Sequence, residues 1–214
     1  MSLRVGVLVS GSGTNLQAIL DAAAKDDLAG ARVVVVISNR PDAYGLERAR
    51  AAGVPAVLVD HKAYAGREPF EDALLAELRQ HDVELVALAG FMRLLTPHFL
   101  RQFPDRVVNI HPALLPSFPG THAQQQAFDY GVRITGCTVH FVDEGTDSGP
   151  IIAQTAVPVL PDDTEETLAE RILSEEHRIY PHVLRLFASG RIAREGRRVI
   201  VQGAPTTGGV LRNP

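Results

Sequence analysis

One cysteine, Cys137, is all that the 214-residue sequence contains, so it has no intrachain disulfide and no cysteine pair for a zinc site. Cys137 lies in an apolar run and reads as an inert buried thiol rather than a nucleophile. A basic excess is missing as well. Lys and Arg number 21 against 25 Asp and Glu, and the net charge of −4 argues against a sequence-independent grip on nucleic acid. A small basic pocket for an anionic metabolite is still compatible with that balance. No apolar run approaches the roughly 18–20 residues of a membrane span, and no charged segment with a removable apolar stretch opens the chain. The expectation is a cytoplasmic protein without a membrane or nucleic-acid partner. Internal repeats and low-complexity blocks are absent too.

What is present is enough apolar material, 45% of residues, to bury one sizeable core. Residues 3–9, Arg32 to Ile37, Val57 to Val59, Leu85 to Ala89 and Arg106 to Ile110 are apolar strand-like runs. Helical patterns separate them after Gly13, over Pro41 to Ala52, over Glu68 to Arg79 and over Pro97 to Phe103. This alternation predicts an α/β, Rossmann-like, mostly parallel twisted sheet with helices on both faces. Beyond a helix from His122 to Tyr130, the runs Ile134 to Val142 and Ile151 to Val157 flank a short turn-rich segment and predict an antiparallel hairpin. A long helix follows from Thr164 to about Ser189. One domain is expected over residues 1–190, with 191–214 forming two short strands and a flexible tail from Thr206.

Chemistry concentrates in Val107 to Gly120, VVNIHPALLPSFPG. Period-two geometry puts Asn109 and His111 on one face of a strand, an amide donor beside a titratable imidazole, and Pro112 forces the chain out into a loop. As a lone polar pair they read equally well as hydrogen-bonded core residues. Asp147 changes the balance, because its turn between two apolar strands brings a carboxylate within reach of neighbouring strands. A carboxylate beside the histidine favours imidazolium, and imidazolium with an amide donor suits a developing oxyanion. Gly11-Ser12-Gly13-Thr14-Asn15, where the first strand turns into a helix, suits a phosphate somewhat better than a purely structural turn. No Lys-Ser/Thr follows, so it is not a Walker A loop. The second strand ends in Ser38-Asn39-Arg40, without the acid expected for an NAD ribose. His122 and His140 match no metal-ligand spacing, and His140 reads as structural. The acids at 162–166 read as helix-cap chemistry, and Arg67 and Arg93 as surface charges, although Arg93 directly follows a buried strand end.

Together SGSGTNLQAI, SNRPDAYGLERA, LAGFMRLL, NIHPALLPSFPG, TGCTVHFVDEGTDSGPII and EEHRIYP resemble the phosphoribosylglycinamide formyltransferase family over residues 3–190. NIHPALLP and DSGP are similar to the wider formyltransferase superfamily. The resemblance implies a single formyltransferase domain, with Asn109, His111 and Asp147 as the catalytic trio. It implies Gly13, Thr14 and Asn15 at the substrate phosphate and Glu176 at the glycinamide end. Arg67, Met92, Arg93, Leu94, Leu95 and Asn109 would line the folate site, and residues 113–125 would form a mobile loop. Ser12 and Ala113 stand where Asn and Ser are expected in relatives, which touches fine substrate contacts only.

The implied reaction moves the formyl group of 10-formyltetrahydrofolate to the amine of 5'-phosphoribosylglycinamide in de novo purine biosynthesis. The products are the N-formyl ribonucleotide and tetrahydrofolate. Asn109 would hold the oxyanion, with His111 kept protonated by Asp147. The resemblance requires no metal and no covalent enzyme intermediate, and it allows a homodimer. Two other readings compete: a 10-formyltetrahydrofolate hydrolase with the same trio, and a non-catalytic metabolite-binding module. The glycine loop and the lack of an extra N-terminal domain count against the hydrolase. An NADP oxidoreductase rests only on Arg40.

Overall fold

The computed structural model describes residues 2–203. Strands β1 (Arg4–Val9), β2 (Arg32–Ser38), β3 (Ala56–Leu58), β4 (Leu85–Leu88) and β5 (Val107–His111) alternate with helices. These are α1 (Thr14–Ala24), α2 (Gly45–Ala51), α3 (Arg67–Gln80) and α4 (Pro97–Leu100). Then come α5 (Ala123–Tyr130), β6 (Ile134–Phe141), β7 (Ile151–Pro158) and α6 (Glu165–Ala188). Seven strands form one sheet in the order β3-β2-β1-β4-β5-β6-β7. β1 to β5 pair in parallel, whereas β6 is antiparallel to both β5 and β7. β8 (Ile192–Glu195) and β9 (Arg198–Val201) make a separate antiparallel pair, as expected, while the expected tail from Thr206 lies outside the described residues.

The strands are apolar on both faces because both faces are covered. Val5, Val7, Val9, Val108, Ile110, Cys137 and Val139 pack toward α1 and α6, meeting Leu16, Ile19, Leu168, Ile172 and Leu184. Leu8, Val35, Ile37 and Val86 face the other way, toward Phe70, Leu74 and Leu78 of α3 and toward Phe99. Each such side chain taken fully from water contributes about 1.5–3 kcal/mol, which makes these two layers the main source of stability. Tyr180, fully buried on α6, donates its hydroxyl to two adjacent strands, 2.9 Å from the Leu88 carbonyl that ends β4 and 3.2 Å from that of Val108 in β5.

Local chemistry moves several expected boundaries. α2 starts at Gly45 rather than Pro41: the Arg40 guanidinium closes on Asp42, and the Gly45 N–H turns to the Gly11 carbonyl. α4 stops at Leu100, three residues short of Phe103. Its last bonds tighten to i→i+3 geometry before Pro104, and Asp105 follows at φ 54°. α6 begins as expected after Thr164, whose hydroxyl accepts from the Thr167 N–H in a reciprocal cap. Asp163 is occupied otherwise. It takes a two-pronged contact from Arg171 at 2.6 and 2.7 Å, which holds its carboxyl well below the usual range.

Candidate active site

β1 and β4 are adjacent, but the chain continues from β1 to β2 on one side and from β4 to β5 on the other. The carboxyl ends of these strands therefore open onto a crevice, the usual ligand position in such sheets. β5 carries Asn109 and His111 on the same face. The antiparallel register sets His140 opposite Asn109 and Thr138 opposite His111, which adds two polar residues from β6 to that face. The turn after β6 then folds Asp147 over the group. Its backbone is left-handed, at φ 50°.

Asp147 Oδ2 lies 3.3 Å from His111 Nδ1 and accepts the Gly120 N–H at 2.8 Å; its Oδ1 lies 3.6 Å from His140 Nε2. His140 donates from Nδ1 to the Phe141 carbonyl at 2.8 Å, so in its neutral form Nε2 is an acceptor. Asn109 Nδ2 donates to that nitrogen at 3.2 Å, and more loosely to Asp147 Oδ1 at 3.5 Å. His111 donates from Nε2 to the Phe118 carbonyl at 2.8 Å. Both nitrogens of His111 thus face acceptors, a carbonyl and a carboxylate, and only the imidazolium satisfies the two together.

Burial is the largest influence on His111 and pushes its pKa below the ordinary value. Asp147 and the Phe118 carbonyl act upward, while His140 adds to the depression. Asp147 thus supports the imidazolium of His111 against desolvation, which acts more strongly in the opposite direction. For Asp147, burial acts upward. The His140 ring, the Gly120 N–H and the His111 imidazole together outweigh it, and the carboxyl stays below its usual range.

On the α1 side of the crevice, Gly13 is the helix N-cap in a left-handed conformation, φ 69° and ψ 34°, and no side chain caps the first turn. The orphan N–H groups and the positive dipole end suit an anion there. Asn15, in that turn, donates to Glu176 Oε2 of α6 at 2.8 Å. Burial pushes the Glu176 carboxyl up to about 7, against the pull of the Asn15 bond. Gly13, Thr14, Asn15 and Glu176 are thus brought together.

The segment after β4 is pinned from two directions. Ser10 accepts the Met92 N–H at 2.8 Å, and buried Glu71 accepts the Thr96 N–H at 2.7 Å. Between these anchors Met92 is 72% exposed and Leu94 56%, whereas Leu95 is buried. The Arg93 guanidinium lies 5.5 Å from the Phe70 ring, three residues along α3 from the exposed Arg67. An exposed apolar ledge, anchored at both ends, therefore stands after β4. His140 is the residue that sequence reasoning placed outside the site. Its signal was the shared alternation with Thr138, which means nothing until the β5–β6 register is known. His122 caps α5 with its backbone at φ 59°. Among the described residues, no set of three His, Cys, Asp or Glu side chains is gathered to hold a metal ion. No described helix is long and apolar enough to cross a membrane.

The family profile described as formyl transferase matches residues 3–184. The trifunctional purine biosynthetic protein adenosine-3 of Drosophila melanogaster is 50% identical over 189 residues, 87% of this chain but 14% of that protein. The phosphoribosylglycinamide formyltransferase of Escherichia coli K12 is 41% identical over 208 residues, covering 94% of this chain and 98% of that one. Among solved structures, glycinamide ribonucleotide transformylase 1 of Symbiobacterium toebii superposes with a TM-score of 0.91 at 58% identity, over 94% of each chain. The corresponding enzyme of Coxiella burnetii gives 0.90 at 40% identity over 97% of each. Likeness in sequence and in backbone, sustained along nearly the whole length, means that the chain belongs to the formyl transferase family.

Proposed function

We propose that the protein transfers the formyl group of 10-formyltetrahydrofolate to the primary amine of 5'-phosphoribosylglycinamide in de novo purine biosynthesis. One observation carries the reading. An amide donor, a histidine and a carboxylate meet at β5, two strands along the sheet from the strand that leads into a helix start suited to phosphate. Relatives that match along nearly their full length bear the name of this activity. Residues 1–190 form the proposed catalytic unit.

The folate supplies an activated formyl group, and the glycinamide amine attacks its carbon. Asn109 Nδ2 carries two hydrogens, one committed to His140 and one held loosely at 3.5 Å by Asp147. The loosely held hydrogen is the one that can turn to the formyl oxygen as negative charge builds there. His111, as imidazolium, stabilises the same charge and delivers a proton to the leaving folate nitrogen as its bond to the formyl carbon breaks, while the attacking nitrogen gives up one proton, so that no net proton is consumed. Its Nε2 hydrogen becomes available when the Phe118 carbonyl moves away, which assigns a role to the loop after Pro112. Asp147 keeps Nδ1 protonated and orients the ring. Glu176 receives the glycinamide end, and Gly13, Thr14 and Asn15 receive the phosphate. Arg67 and residues 92–95 receive the folate, the exposed Met92 and Leu94 offering apolar cover to its ring. Holding both reactants removes much of the entropic barrier.

The test is folate absorbance during incubation with 10-formyltetrahydrofolate, with and without 5'-phosphoribosylglycinamide. Product that depends on the amine is expected. Product without it would instead mean hydrolysis, and no product in either case would mean a binding module.

A further inference from the structure

α2 stands directly behind the glycine loop. The Gly45 N–H donates to the Gly11 carbonyl at 3.0 Å, and a Cβ on Gly13 would sit 2.8 Å from the Gly45 Cα, so helix and loop backbones touch. One turn on, Arg48 reaches back. Its Nε donates to the Ser12 carbonyl at 2.8 Å and its Nη1 to Gln17 Oε1 at 3.0 Å, while the guanidinium lies 5.0 Å from the Tyr44 ring.

These contacts dictate where the loop amides point. In a planar trans peptide the C=O and the following N–H point in opposite directions. Drawing the Gly11 carbonyl toward Gly45 turns the Ser12 N–H away from α2, and drawing the Ser12 carbonyl toward Arg48 turns the Gly13 N–H away likewise. Two successive amides turned from the same support form the kind of concavity that takes an anion. Arg48 also places a fixed positive charge behind them. Its reach extends to α6, where it helps depress the His177 imidazole, second to burial.

We propose that Arg48 is the positioning residue that sets the loop's grip on the substrate phosphate, acting through the Ser12 peptide and through its charge rather than by contact. This rests on the phosphate reading of the loop given above. Full-length Arg48→Met and Arg48→Lys would be assayed with 5'-phosphoribosylglycinamide and with its dephosphorylated analogue. For Arg48→Met the KM for the phosphorylated substrate is expected to rise about tenfold or more, with kcat near wild type. The KM for the folate and kcat/KM for the dephosphorylated analogue should stay unchanged. Arg48→Lys, which keeps the charge but cannot serve both acceptors with the same fork, should recover part of the loss.

A fall in kcat shared equally by both substrates would mark a merely structural role and overturn the proposal. So would a methionine variant that discriminates between the two substrates as sharply as wild type. A wild-type enzyme that fails to discriminate would remove the phosphate reading itself, a separate outcome. If Arg48→Met does not fold, the lysine variant decides, and a wild-type KM for the phosphorylated substrate in it would overturn the proposal.

Discussion

Replacing Asp147 with asparagine isolates the charge of the carboxylate from its shape. The left-handed backbone at φ 50° is one that asparagine tolerates, and its side-chain oxygen can still accept the Gly120 N–H, so the turn should keep its place. What disappears is the negative charge 3.3 Å from His111 Nδ1, between side chains that are 5% and 14% exposed. At an effective dielectric near 20 such a pair gains roughly 5 kcal/mol before desolvation is counted. Nearby opposite charges usually leave a net change of about one to three pH units. Burial already lowers the His111 pKa, and the variant loses the main upward influence. If turnover needs imidazolium, activity falls as pH rises through that pKa, so lowering the pKa moves the alkaline limb to lower pH. The expectation for Asp147→Asn is an alkaline limb displaced downward by about one to three units and kcat/KM at pH 8 reduced roughly 10- to 1,000-fold. Folate absorbance followed across pH measures both, and thermal unfolding checks the fold. A folded variant whose alkaline limb stays in place would refute the reasoning.

Asn109→Ala removes the proposed oxyanion donor, and kcat should drop about 10²–10³-fold in a folded protein; near-wild-type turnover would exclude Asn109 from the chemistry. Glu176 holds its proton up to about 7 when folded, against an ordinary 4.5, so its stabilising effect is complete below 4.5 and is lost as pH climbs through 7. That loss amounts to about 3 kcal/mol. Glu176→Gln should flatten the decline in urea-denaturation free energy over this window, and parallel curves for variant and wild type would contradict it. In Gly136→Ala the new Cβ would lie 1.9 Å from the Thr155 carbonyl oxygen, a backbone atom on the paired strand. The β6–β7 pairing must shift, at a cost of about 1–3 kcal/mol or more in chemical denaturation, and an unchanged midpoint would show that the strands part without strain.

The parallel half of the sheet was legible because buried strands between helices have to be apolar runs, and β1, β2, β4 and β5 are such runs. Asn109 and His111 were legible as partners because strand periodicity is strict. His140 was not, since its place beside Asn109 depends on a cross-strand register that residue types alone leave open. The Phe118 carbonyl on His111 is a backbone contact, and backbone atoms carry no residue signature. Arg48 sits 36 residues from the Ser12 carbonyl that it holds, so only the packing of α2 behind the loop reveals the link. The late start of α2 has the same origin: the Gly45 N–H finds its acceptor in the loop rather than in its own helix.

Tyr180 and Glu176 lie one helical turn apart on the same side of α6. The phenol is bonded to the carbonyls of Leu88 and Val108, each directly before a segment of the crevice, and Val108 immediately precedes Asn109. α6 therefore acts as a calliper: one jaw is the Glu176 carboxyl, bonded to Asn15, and the other is fastened beside Asn109, the proposed oxyanion donor. The spacing between the α1 side of the crevice and the strand that carries Asn109 is thus held by one helical turn.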